Sequence, residues 1–302
     1  MPAAASIRIG TRGSPLALAQ AHMVRDALAR TAEIVVIRTT GDHILDRPLA
    51  EIGGKGLFTK EIEEQLLDGR IDIAVHSMKD MPTTLPDGLA IGAMLPRADP
   101  RDALVSRIAR NIAGLPQGAH VGTASLRRGA LLLARRPDLR ISTLRGSVQT
   151  RLQRIADGTF DATLLARAGL DRLGMDDGTA TPIPVDEMLP AVAQGAIGIE
   201  YVLRRDDIGA LLASIHHVET GICVDAERAF LASLDGSCRT PIAAHATISG
   251  DRLDFRSVVA RPDGSETVRR EARLSVDEAT AAAAALGDEV RSVTGPGFFA
   301  SP

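Results

Sequence analysis

Three segments of this chain place a hydroxyl and an arginine where a strand pattern gives way to a helix pattern. The first is Gly10-Thr11-Arg12-Gly13-Ser14-Pro15, in which Ser14 suits an N-cap and Pro15 the first helical position. The second is Gly122-Thr123-Ala124-Ser125-Leu126-Arg127-Arg128, with Ser125 as the cap. The third is Ser142-Thr143-Leu144-Arg145-Gly146-Ser147, with Ser147 as the cap and Arg151 one turn further on. A helix N-terminus is partially positive, so each cation in its first turn costs about 0.3–1 kcal/mol. Helix stability therefore does not account for Arg127 and Arg128, and an anion held at that terminus reverses the sign. Guanidinium forks match carboxylates, and strand-to-helix junctions line the ligand crevice of open α/β sheets. Together the three segments read as a crevice for several carboxylates or phosphates. Taken alone, the Ser14 segment reads as an ordinary cap.

The apolar run 71–76 ends in Ser77-Met78-Lys79-Asp80-Met81-Pro82, which puts Ser77, Lys79 and Asp80 at its carboxyl end. Asp80 is either a turn residue or a carboxylate beside the anion crevice. Among cations it stays ionised, fit to stabilise a developing cation or to shuttle a proton. Ile52-Gly53-Gly54-Lys55-Gly56-Leu57-Phe58 lacks P-loop spacing and reads as a mobile flap. Cys223 shares a helical face with Ala226 and Phe230 and reads as buried packing. Cys238 falls in the loop Asp235-Gly236-Ser237-Cys238-Arg239-Thr240-Pro241, where a thiol beside Arg239 is either reactive or simply free. Neither cysteine belongs to a metal-ligand pattern, so no metal site is expected. The pair His216-His217 reads as a structural feature of a helix end.

The elements that must position these groups alternate. Strand patterns at 6–10, 33–39, 71–76, 103–106, 120–122, 139–143 and 161–165 are interleaved with helical spacing at 16–29, 57–67, 126–135 and 148–156. This predicts an α/β class with parallel sheets covered by helices. Proline-bearing stretches at 96–100 and 182–190 mark crossings. Beyond them come a helix over 224–234, an antiparallel meander at 243–248, 253–260 and 266–274, and an alanine-rich helix over 276–290. These predict a small α+β domain with a frayed tail from Gly295.

Composition sets the outer limits. The 302 residues suffice for two or three domains, and 45% hydrophobic content argues against disorder. Aromatics are 2%, too few for a base-stacking surface, and a net charge of −3 disfavours a phosphate-backbone binder. No apolar run approaches the roughly 18–20 residues of a membrane span, and the start lacks a signal-peptide layout, so a cytoplasmic protein is expected. Of 35 cationic side chains 32 are arginine, and the three lysines all fall between positions 55 and 79. A GC-rich genome accounts for that ratio but not for the arginines at the junctions.

In their order along the chain these segments resemble the porphobilinogen deaminase (hydroxymethylbilane synthase) family. The resemblance rests on Ile9–Leu18, Gly53–Phe58, Ala74–Asp80, Asp99–Ala103, Gly122–Arg128, Leu144–Arg151, Pro190–Ala196 and Ala226–Phe230. It implies two α/β lobes like those of periplasmic binding proteins with a cleft between them, plus a small α+β C-terminal domain. The implied bounds are 1–95 with 196–213, 101–189, and 218–302. The implied reaction joins four porphobilinogen molecules head to tail with loss of ammonia, then hydrolyses the product free as hydroxymethylbilane. The resemblance makes Cys238 the thioether anchor of a dipyrromethane cofactor and Asp80 the catalytic carboxylate. Ser77, Lys79, Thr123, Ser125, Arg127, Arg128, Arg145 and Gln194 are implied to hold the cofactor. Arg12, Ser14 and Arg151 are implied to hold substrate, with Lys55 and Phe58 in the flap. It further implies a cytoplasmic monomer that engages neither nucleic acid nor membrane. Arg239 stands where the family usually has glutamine, Ala124 where serine is frequent, Arg167 in a usually apolar segment, and Glu51 where some members have lysine. The alternative is a non-catalytic two-lobed anion-binding protein. It accounts for the caps and arginines but not for a loop cysteine in a third domain.

Overall fold

The computed structural model describes residues 6–40, 59–176, 178–236 and 240–299. The chain divides into two compact units, one from residues up to 98 together with 196–221, the other from 99–195 together with 222 onward. No helix among the described residues is long and apolar enough to cross a membrane.

The first unit is built on a five-stranded sheet in the order β2-β1-β3-β10-β4. Its strands are β1 (Ile7–Arg12), β2 (Ala32–Ile37), β3 (Ile73–Ser77), β4 (Leu89–Met94) and β10 (Ile197–Val202). Helices α1 (Pro15–Leu28), α2 (Lys60–Leu67) and α6 (Asp206–Ala213) belong to the same unit. Side chains alternate across the strands, so Ile9, Ile73, Val75 and Ile199 join Val24 of α1 and Leu212 of α6 in one core. The opposite face buries Ala74, Ile62, Leu66 and Ile71. β1 runs parallel to both β2 and β3, but β10 is antiparallel to β3 and β4. The expected all-parallel sheet is therefore mixed, because a strand from far along the chain returns in the opposite sense between β3 and β4.

The second unit holds a sheet in the order β7-β6-β8-β5-β9. Its strands are β5 (Asp102–Ser106), β6 (His120–Gly122), β7 (Arg140–Ser142), β8 (Ala162–Ala166) and β9 (Ala180–Pro182), with helices α3 (Leu126–Arg135), α4 (Val148–Ala156) and α5 (Arg167–Leu173). β6 is parallel to β7 and β8, whereas β5 is antiparallel to β8 and β9, so this sheet too is mixed. Most of helix α7 (Val218–Ser233), the antiparallel meander β11 (Ile242–Ser249), β12 (Arg252–Ala260), β13 (Thr267–Ser275), and helix α8 (Ala279–Thr294) complete the unit. Ala243, Val258 and Ala260 of the meander pack into the same core as Leu104, Val121, Leu132 and Leu164.

All three expected caps form. Ser14 accepts from Ala17 N, Ser125 from Arg128 N and Ser147 from Thr150 N. Cys223 is buried, and His216 accepts from Met94 N as a structural group. The tail expected to fray does not do so at Phe298. That ring is 2% exposed and lies 4.9 Å beneath the Arg261 guanidinium, where burial and a cation–π contact hold it.

Candidate functional site

In the first unit, β1 and β3 are parallel neighbours, so their carboxyl ends emerge at the same edge. β1 delivers Arg12 and, one turn on, the Ser14 cap of α1. β3 delivers Ser77, and a single 3-10 turn over Met78–Asp80 follows. One cavity is lined by Arg12, Ser14, Gln20, Ser77 and Asp80. The Asp80 side chain is exposed there, while Ser77 Oγ lies 2.7 Å and 3.0 Å from the amide nitrogen and oxygen of Gln20. Lys79 occupies the same turn without lining the cavity. A carboxylate facing a guanidinium and hydroxyls can bind an acidic ring compound and still balance a positive charge that grows on it.

His76 also lines this cavity and belongs to a buried acid–base cluster with no local sequence signal. His76 Nε2 lies 3.0 Å from Glu200 Oε2 of β10, and Glu63 of α2 is buried nearby. Burial, with the Glu200 charge behind it, pushes the Glu63 carboxyl above the usual range.

In the second unit, β6 and β7 are again parallel neighbours, and their carboxyl ends lead into α3 and α4. Thr123 Oγ1 accepts from Ser125 N at 3.1 Å, which fixes the turn into α3. Arg145 is half-buried at the next junction, and Arg151 Nε donates to Gly146 O at 3.0 Å. Arg127 and Arg128 are not free at the helix terminus. Both are buried against Asp102 of β5, with Arg127 Nη1 2.8 Å from Oδ2 and Arg128 Nη2 2.7 Å from Oδ1. The chain itself thus supplies one anion for the two cations. Burial by itself raises the Asp102 carboxyl, but the two guanidiniums outweigh it and hold it far below the usual range. Burial lowers the Arg127 guanidinium. The trio keeps one net positive charge, and Arg127 Nε is buried without a hydrogen-bond partner.

Gln194 joins this trio, its Nε2 donating to Asp102 Oδ1 at 3.0 Å and to Pro100 O at 2.7 Å. The structure therefore gathers Arg12, Ser14, Ser77 and Asp80 around one cavity. It gathers Thr123, Ser125, Arg127, Arg128 and Gln194 around the start of α3, with Arg145 and Arg151 at the neighbouring junction. Sequence reasoning missed Asp102, Gln20 and the His76–Glu200 pair. Cys238, Arg239, Lys55, Phe58 and Glu51 lie outside the described residues.

Two family descriptions match the chain: "Porphobilinogen deaminase, dipyromethane cofactor binding domain" over residues 7–210, and "Porphobilinogen deaminase, C-terminal domain" over residues 221–292. The porphobilinogen deaminase of Nitrobacter winogradskyi is 55% identical, covering 96% of this chain and 94% of that protein. The chloroplastic porphobilinogen deaminase of Oryza sativa is 52% identical, covering 98% of this chain and 86% of that protein. Among solved structures, the periplasmic VFT2 domain of Bordetella pertussis BvgS aligns at 13% identity with a TM-score of 0.40, covering 70% of this chain and 86% of that one.

Proposed function

The chain belongs to the porphobilinogen deaminase family, and on that premise we propose which of its residues carry each part of the reaction. It is a transferase that condenses porphobilinogen into hydroxymethylbilane. The observation that carries the assignment is the Asp80 carboxylate in one cavity with Arg12, Ser14 and Ser77. Arg12 and Ser14 bind the acetate and propionate groups of incoming porphobilinogen, because a guanidinium and a capped helix start suit carboxylates. Asp80 balances the positive charge that develops on the pyrrole as ammonia departs. It also holds the proton that the ring gives up, at a carboxylate oxygen open to the cavity. Ser77, tethered by Gln20, orients the ring against Asp80.

The second cluster fits a dipyrromethane. Its carboxylates call for donors, and the Asp102 trio keeps a positive charge and an unused buried Arg127 Nε–H. Thr123, Ser125, Arg127, Arg128 and Arg145 hold it, Gln194 positions the pair, Arg151 serves the growing product, and Cys238 anchors the group by a thioether. When bound, the cofactor supplies a nucleophilic pyrrole carbon as primer. The reading includes a three-domain division at 1–95 with 196–213, 101–189 and 218–302, and a monomer working in the cytoplasm. Intact mass tests the assignment. Purified protein carries an excess of two pyrrole units that maps to Cys238 and is absent from Cys238→Ser. Bare protein that fails to turn over porphobilinogen, even after preincubation with it, overturns the reading.

A further inference from the structure

The arginine pair is supported from a direction the reaction does not explain. Glu227 sits on α7, wholly buried. A carboxylate taken out of water is costly unless each oxygen finds a donor. Here Oε2 accepts from Ala193 N at 2.7 Å, Oε1 accepts from Ala246 N at 2.8 Å, and His245 Nδ1 stands 3.5 Å from Oε1. The Ala246 bond ties α7 to β11. The Ala193 bond holds a backbone that alanine does not favour, since Ala193 has φ of 60°. The next residue is Gln194, whose amide reaches Asp102, and Asp102 in turn pairs Arg127 and Arg128.

We propose that Glu227 is a positioning residue for the carboxylate-binding arginines: from α7 it pins the Ala193 turn, and through Gln194 and Asp102 it sets where Arg127 and Arg128 stand. This rests on the reading of that pair as the cofactor's hold. A relaxed turn withdraws the Gln194 amide from Asp102 Oδ1, and the carboxylate then rotates with both guanidiniums. The helix that precedes the cofactor cysteine in sequence thus also tunes the pair on α3.

The test is Glu227→Gln, which keeps the shape but presents an amide to one of the two N–H donors. It is combined with Ala193→Gly, because glycine adopts the left-handed turn without help. Three quantities are read: the fraction of Cys238 carrying the two-pyrrole increment after apo-protein meets porphobilinogen, the KM against kcat, and the Tm. Glu227→Gln lowers cofactor capture and raises KM by about 2- to 30-fold, the range expected for a residue that acts through a contact chain, with kcat changed less. The double variant recovers capture and KM, while the lowered Tm persists because the Ala246 bond is still weakened. A merely structural Glu227 gives the opposite pattern, with KM following Tm and no rescue by Ala193→Gly, and that overturns the proposal. If Glu227→Gln is insoluble, Glu227→Asp, charged but too short to reach Ala193, replaces it in the same cycle with the same outcomes. Wild-type protein that never acquires the increment overturns the functional reading and this proposal together. Wild type that acquires it beside a Glu227→Gln variant of unchanged capture and KM overturns this proposal alone.

Discussion

Asp102→Asn removes one charge from a fully buried trio and changes almost nothing in shape. Asp102 accepts from Arg128 Nε at 3.1 Å, Arg128 Nη2 at 2.7 Å and Gln194 Nε2 at 3.0 Å, and pairs with Arg127 Nη1 at 2.8 Å. The asparagine leaves two guanidiniums, 5% and 7% exposed, without a counter-charge in the first turn of α3. Little solvent screens them, so the figure for a broken buried pair applies undiscounted, about 3–5 kcal/mol. At about 2–4 °C per kcal/mol for a unit of this size, the Tm falls by about 6–20 °C. The pH dependence has a definite sign. The folded carboxyl lies below its unfolded value, so its stabilisation is complete above the unfolded pKa of about 3.9 and disappears as pH falls through the folded value. The gap between wild type and variant is therefore flat from neutral to mildly acidic pH. The measurement is thermal and denaturant unfolding of both proteins in a Cys238→Ser background, which removes any contribution of bound cofactor. A loss under about 1 kcal/mol, the ordinary cost of a surface pair, would refute the assignment of Asp102 as counter-charge.

Two other outcomes follow from the site and the packing. Asp80→Asn retains the two-pyrrole mass increment and loses nearly all turnover; normal turnover in a steady-state assay removes Asp80 from the chemistry. Gly264→Ala destabilises by about 1–3 kcal/mol, because a Cβ there meets Ala134 N at 2.4 Å and Ala130 O at 2.7 Å on α3 while φ is +75°. Its unfolding midpoint is the check, and a neutral effect means that the β12–β13 turn does not press on α3.

What the sequence made legible was local. Ser125 and Ser147 cap helices whose bounds match the expected 126–135 and 148–156, because a cap and a periodic face are both written within a dozen residues. The meander was readable from its runs of β-forming residues, although Ile242–Ala246 of β11 and Ser257–Ala260 of β12 are buried on both faces. Pairing partners were not. β10 (Ile197–Val202) is not among the expected strands, and nothing nearby says that it enters between β3 and β4, or that Glu200 meets His76 across 124 positions. The arginines on α3 are paired with an anion of the chain itself. Local sequence points only to an external one, because Asp102 lies 25 positions before Arg127 and becomes its neighbour only when β5 is in place. Cys238 stands out through its loop setting beside Arg239 and through the family resemblance.

The order β2-β1-β3-β10-β4 also bears on how the protein is born. Among the described residues β4 pairs with β10 alone, and about 100 residues separate the two along the chain. At roughly 5–20 residues per second, a ribosome needs about 5–20 s to deliver β10 after β4 has left it. During that interval β3 offers an open edge next to Ile73 and Val75, and β4 waits unpaired. The nascent first unit is thus a sticky, incomplete sheet that a holding chaperone would recognise, and its folding is gated by synthesis of the second unit's 99–195 segment.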